Sequence, residues 1–525
     1  MGLMKLSTYH KERGDFVDFY KGNIEKSVFD IASYDRVYIT SLFTFYFDIT
    51  IKTINHYKQF ISDEKIYIGG ILVTLMSQRI RQEIGEQVNL IEGLLVDSSQ
   101  IGFLDNINID TLHLDYSILD EIEYTYPAGD NYFAYTSRGC VMKCSFCAVP
   151  FLEPTFCVTN NIKNQVETIK SKYGEKANLL LLDNNILGFE EEQLNKIITD
   201  IKDLGFKRDA KFIDELPLFT FLRKINYLKP SSQAQANQIN NLINYILTKK
   251  NVKMSGVYKG KYEEIYKLVE SADNIISKLK IIKSNEKVLV EILSRYFKPK
   301  GRKRIVDFNQ GIDARLITER KMQILSTINI EPYRFAFDDI KTKAKYTKAI
   351  KLAAKYDIKF FSTYVLYNFN DSPADFWQRL SLNIELSKEL GIRIFSFPMK
   401  YAPVDRVDRT HIGTHWNRKF LQNLYAILNV NHGMVATGFD FFYRAYGKNE
   451  LEFIELLTMP KKFVLFRNEH EANGNIQSWK NCYSKLNEQE KKELLLCLNE
   501  NINFSNENIA AIMKFYTQEK KNEKL

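Results

Sequence analysis

The chain reads as an α/β protein in four parts. These are an N-terminal parallel-sheet domain over residues 1–125, a partial (β/α)6 barrel of TIM type over 126–206 and 302–405, a basic helical insertion over 207–301, and a mostly helical C-terminal region over 406–525. Three observations lead there. Strand and helix patterns alternate through the first hundred or so residues; the alternation resumes from Asn131 with a longer beat; and a stretch of about 95 residues with no strand period interrupts it.

In the first part, "MGLMKLSTYHKERG" has helical spacing and stops at Gly14, and "YDRVYITSLFT" is a buried strand. "ITIKTINHYKQFI" returns to helix, "KIYIGGILV" is a strand closed by a glycine pair, and "MSQRIRQEIGEQ" is again helical. Strands that alternate with helices predict a parallel, Rossmann-like sheet covered on both faces. The pattern begins on a helix, so an initial strand is lacking: either the sheet starts one strand late or the chain was trimmed upstream.

The barrel strands are expected at "YFAYTSRG", "NLLLLDNNIL", "RIVDFNQGIDARL", "YRFAFDD", "KFFSTYVLYNF" and "RIFSFPMKYAPV", with helical patterns such as "EEEQLNKIITDIKDLGF" between them. Six strand–helix repeats suit a parallel barrel, complete or partial, with its chemistry at the C-terminal strand ends. Polar residues gather at those ends: Asp183, Asn184 and Asn185; Asn309, Gln310, Asp313 and Arg315; Asp338 and Asp339. Residues 207–301 carry helical runs and are expected to form a folded insertion. The final "TQEKKNEKL" is expected to fray.

Hydrophobic content of 45% with 26% charged residues is that of a water-soluble globular protein. No apolar run approaches the ~18–20 residues of a membrane span, and the N-terminus lacks the apolar core of a signal peptide. A cytoplasmic protein with no membrane partner is expected. The net charge of +9 is concentrated: Lys207–Arg304 holds 22 Lys and Arg against 9 Asp and Glu, a net of +13, which leaves the remainder near −4. "KPKGRKR" at 298–304, with Tyr and Phe interleaved along the insertion, makes nucleic acid a possible partner, although lysine-rich helices are more often simply solvated faces.

Six cysteines in 525 residues form no disulfide framework, yet Cys140, Cys144 and Cys147 fall within eight positions. Cys157, Cys482 and Cys497 are scattered and are expected to be buried structural thiols. The triad, C-x3-C-x2-C, follows the first barrel strand in a loop opened by Arg138-Gly139. Zinc prefers C-x2-C pairs with a second pair or histidines nearby. Here the only candidate close in sequence is Cys157, because the nearest histidine is His113. Two readings stay open: a closed four-ligand site completed by Cys157, in a structural or regulatory protein without turnover, or an iron–sulfur cluster on three thiolates with one iron left for a small molecule.

C-x3-C-x2-C with an aromatic residue, Phe146, before the last cysteine resembles the signature of radical S-adenosylmethionine enzymes. The resemblance implies that Cys140, Cys144 and Cys147 carry a [4Fe–4S] cluster and that S-adenosylmethionine chelates the open iron. It further implies that reductive cleavage of S-adenosylmethionine gives a 5′-deoxyadenosyl radical, with electrons from a donor such as flavodoxin or ferredoxin. The barrel resemblance runs from about 131 to 405 apart from the insertion.

By position in that family, Asp183, Asn184 and Asn185 replace a Gly-Gly-Glu-like stretch that contacts the methionine ammonium, unless they form only a turn. Gln310, Asp313 and Arg315 fall where polar groups meet the methionine carboxylate and ribose; an internal Asp313–Arg315 salt bridge is the competing reading. Asp338 and Tyr364, with Tyr367, are weaker instances of the same inference, and Pro398, Met399 and Tyr401 either wall the substrate side or form a packed turn. Residues 1–125 are similar to the cobalamin-binding-like domain that precedes the barrel in one subgroup. The D-x-H-x-x-G cobalamin pattern is absent, however: His10 lacks the aspartate, has Gly14 one residue too far, and is expected on a helix surface. Cobalamin is possible but not expected. The substrate and the catalytic residues are left open, with methylation and other radical modifications as candidate chemistries and methylthiolation ranked low for want of cysteines for a second cluster.

Overall fold

The computed structural model describes residues 1–23, 31–159, 161–228, 230, 233–247, 254, 256–500 and 506–516. They divide into two compact units, Met1–Gln310 with Ile324–Ile330, and Gly311–Gln323 with Glu331–Leu525. The "TQEKKNEKL" tail lies outside the described residues.

The first unit begins with a helix over Gly2–Glu12, followed by a parallel sheet of β1 (Val37–Thr40), β2 (Ile66–Gly69) and β3 (Asn89–Ile91) in the order β1-β2-β3. β2 is short and apolar, with Ile66 and Ile68 fully buried, as suits a strand covered on both faces. The glycine pair turns the chain tightly into the next helix: a Cβ on Gly70 (φ +100°) would stand 2.6 Å from the Ser41 carbonyl oxygen. β3 escaped the sequence pattern because only three residues carry it.

The helix at Gly2–Glu12 corrects one expectation. It is buried from Met4 through His10. Its polar side is covered by the 108–117 segment, where Lys5 meets Asp110, Ser7 meets Asp115 and the Thr8 hydroxyl donates to the His113 carbonyl. His10 is not on the surface. Its ring pairs with Asp15 (2.7 Å) and the Tyr38 hydroxyl (2.9 Å), and burial lowers its pKa.

A second parallel sheet of the first unit holds β4 (Asn131–Ala134), β7 (Asn178–Leu181) and β10 (Val306–Phe308), each paired with the next in chain order. Its register stacks like with like. Tyr132, Leu179 and Val306 form one buried row, and Ala134, Leu181 and Phe308 the next. Helix Glu191–Ile201 presents Leu194, Ile197, Ile198 and Ile201 as the single apolar stripe that this spacing dictates. Between β4 and β7 runs a short antiparallel ribbon of β5 (Ser137–Arg138) and β6 (Cys157–Val158).

The insertion is helical as expected. Helices Pro217–Lys224, Gln233–Leu247, Gly256–Glu270, Ile275–Ser284 and Glu286–Tyr296 close over their own core, with Leu218, Phe221, Ile239, Ile282 and Leu289 fully buried. Its base is an unexpected two-residue clasp of β8 (Lys211–Phe212) with β9 (Arg302–Lys303). Two cations of "KPKGRKR" serve that base. Arg302 pairs with Asp130 and Asp214, and buried Arg304 pairs with Glu175 and stacks over Phe206.

The second unit holds a third parallel sheet, β11 (Tyr333–Ala336), β12 (Phe360–Tyr367) and β13 (Arg393–Lys400), again in chain order. From Arg418 onward the described residues are helical apart from turns, caps and an isolated antiparallel bridge of Val435 to Ser396. All six expected strands are present, as two parallel sheets of three. Neither sheet reverses its strand order as a doubly wound sheet does. No helix among the described residues is long and apolar enough to cross a membrane.

Candidate functional site

The cysteine loop is built by strand register. β4 and β7 pair with Ala134 opposite Leu181, so two residues further on Thr136 faces Asp183. The buried Asp183 carboxylate accepts the Thr136 N–H (3.0 Å) and hydroxyl (2.6 Å), and the Ser137 N–H (2.5 Å) and hydroxyl (2.6 Å). Burial pushes its pKa up, against the pull of these donors. The β5–β6 ribbon follows, pairing Ser137 with Val158 and Arg138 with Cys157. Everything between, Gly139 to Phe156, is therefore one closed excursion from the end of the first strand, and it contains the triad.

Glu153 ties the base of that excursion. Its Oε2 accepts the Gly139 N–H (2.6 Å) and Asn184 Nδ2 (2.7 Å), and its Oε1 pairs with Arg138 (3.1 Å). Arg138 continues to Asp110 (2.6 Å), which also holds Lys5 (2.6 Å), while its guanidinium lies over the Tyr135 ring. Gly139 sits at φ +71°, and a Cβ there would come within 2.3 Å of the Thr155 carbonyl oxygen, so only glycine fits.

Cys140, Cys144 and Cys147 are half-buried and form no disulfide. The Cys144 carbonyl accepts the Cys147 N–H (3.0 Å), so the second half of the motif is a tight turn with half-buried Phe146 inside it. Cys140 Sγ accepts the Met142 N–H (3.3 Å) and Asn185 Nδ2 (3.6 Å), and Cys147 Sγ accepts the Val149 N–H (3.4 Å). Asn185 is buried, and its Oδ1 has no hydrogen-bond partner.

These features fit a thiolate-held cluster in chemistry: three sulfurs on one loop, N–H donors aimed at two of them, and an orphan acceptor beside Cys140. The three sulfurs are not drawn together, since no three His, Cys, Asp or Glu side chains among the described residues form a group able to hold a metal ion.

Cys157 is exposed, which corrects its expectation as a buried thiol; Cys482 is half-buried and Cys497 buried. Cys157 stands at the neck of the excursion and opens into a cavity of about 320 Å³ that Lys5, Asp110 and Arg138 also line and that none of the triad lines.

Gln310, at the end of the first unit, is exposed. In the second unit Arg315 grips Asp313 through Nε (2.8 Å) and Nη2 (2.7 Å), so the internal salt bridge is present. Asp338 is half-buried near the charges of Arg315 and Asp313 and accepts the Leu366 N–H (3.2 Å); burial pushes its pKa up to about 6. Tyr364 is half-buried, its ring where a Cβ on Gly311 would touch it at 3.6 Å. Tyr367 is core, packed on Phe376 and Trp416.

Sequence reasoning missed Glu153, which has no periodicity to mark it, and Arg379. Arg379 is fully buried and donates to the Phe337, Asp338 and Leu366 carbonyls while pairing with Asp371 at 2.7 Å, which fixes the ends of β11 and β12.

The chain matches no described protein family, and no curated protein matches its sequence. Among solved structures it is similar to the radical S-adenosylmethionine methyltransferase TsrM from Kitasatospora setae, solved with cobalamin and a [4Fe–4S] cluster bound. The identity is 9% and the TM-score 0.40, over 77% of this chain and 73% of that one.

Proposed function

We propose that the chain is a radical S-adenosylmethionine enzyme, with Cys140, Cys144 and Cys147 as the protein ligands of a [4Fe–4S] cluster. One observation carries the reading. The C-x3-C-x2-C motif occupies an excursion closed at its neck immediately after β4, the first strand of the parallel sheet β4, β7 and β10, with Cys157 kept outside it.

When bound, the cluster supplies one-electron reduction of S-adenosylmethionine. The chain's own residues do the rest. Asp183 and Glu153 hold the loop; Asn185 donates to the Cys140 sulfur and offers its free Oδ1 as an acceptor for the cosubstrate's ammonium. Phe146 is proposed for the loop wall. An external reductant such as flavodoxin or ferredoxin is proposed as electron source.

The test is electron paramagnetic resonance of anaerobically reconstituted, reduced protein with and without S-adenosylmethionine. The reading expects a changed spectrum on addition. A four-thiolate closed site completed by Cys157 would leave the spectrum unchanged.

A further inference from the structure

We propose that Glu153 is a positioning residue that sets the relation between Cys140 and Asn185; the inference rests on the cluster reading above. Two residues meet at the first sulfur of the motif, Cys140 as its owner and Asn185 as its donor. The residue before each, Gly139 and Asn184, donates to the same carboxylate oxygen, Oε2 of Glu153. One oxygen thus registers the start of the cysteine loop against the end of β7. The other oxygen is held by buried Arg138, which Asp110 in turn fixes, so the carboxylate is itself anchored.

The fold does not need this clasp to close the loop. The β5–β6 ribbon closes the neck, and Asp183 pins Thr136 and Ser137 independently. What Glu153 adds is local: it determines where Cys140 stands relative to the orphan Oδ1 of Asn185. Neutral donors cannot replace it, because all three of its partners are themselves donors. A glutamine in its place would turn an NH2 toward Arg138 or toward the Gly139–Asn184 pair.

The test compares wild type, Glu153→Gln and Asn184→Ala, each first checked as metal-free protein by circular dichroism melting and then titrated anaerobically with ferrous iron and sulfide. Expected are a lowered but still cooperative melt in Glu153→Gln, iron affinity lowered about tenfold in that variant, a smaller loss in Asn184→Ala, and an altered resonance spectrum of whatever cluster the glutamine variant retains. Wild-type loading and an unaltered spectrum in both folded variants would overturn the proposal. If Glu153→Gln does not fold, Asn184→Ala decides alone by the same two readouts. A wild type that takes up no cluster removes the cluster reading itself, an outcome distinct from variants that load like wild type.

Discussion

The Asp183 carboxylate accepts both the backbone N–H and the hydroxyl of Thr136, a residue 47 positions earlier in the chain. The contact follows from the β4–β7 register, which sets position 136 opposite 183. It makes the end of one strand the anchor for the loop that leaves the other. Replacing Asp183 with Ala leaves buried N–H donors unsatisfied and is expected to cost about 3 kcal/mol. The check is the urea midpoint of the variant; a midpoint equal to wild type would show that the clamp carries no load.

Gly139→Ala should be more damaging than its size suggests. The residue must hold φ +71°, and the added methyl meets backbone, which cannot swing aside as a side chain can. A loss of at least about 2 kcal/mol is expected, with faster amide exchange in residues 140–156 as the local signature. Unchanged exchange there would contradict the described loop.

Cysteine replacements should divide sharply. Cys140→Ser, Cys144→Ser and Cys147→Ser are each expected to lose cluster binding. Cys157→Ser, which alters a thiol lining a cavity that none of the triad lines, should retain wild-type iron and sulfide. Loss of iron in the Cys157 variant would make it a fourth ligand and leave no iron open.

Asp338 gives a pH dependence with a definite sign. Its folded pKa of about 6 lies above the ordinary 3.8 because burial disfavours the charged form. The folded state therefore holds the proton more tightly than the unfolded chain. The stability this contributes is complete below about pH 4 and is lost as pH rises through 6. Asp338→Asn should accordingly melt higher than wild type at pH 7.5 and at the same temperature near pH 4. An equal gap at both values would exclude the titration.

The sequence was most informative where one rule governs a whole element. All six predicted strands were legible as compact apolar runs, several with alternating burial, such as Tyr132 and Ala134 or Leu179 and Leu181. The insertion showed itself by helical spacing alone. What stayed hidden depends on partners distant in the chain. His10 reads as a surface residue until Asp15 and Tyr38 satisfy its ring. Nothing near Lys5 in the sequence announces its partner, Asp110, 105 residues away. Cys157 looks like a spare buried thiol until the ribbon sets it beside Arg138. Asp313 and Arg315 were ambiguous between ligand grip and mutual pairing, and the pairing is what forms.

The measurement that bears most directly on the central claim is release of 5′-deoxyadenosine. Protein reconstituted without oxygen, reduced by a strong donor and supplied with S-adenosylmethionine should form 5′-deoxyadenosine, and the Cys140→Ser variant should form none. A fully loaded, reduced wild-type cluster that releases no 5′-deoxyadenosine would contradict the account.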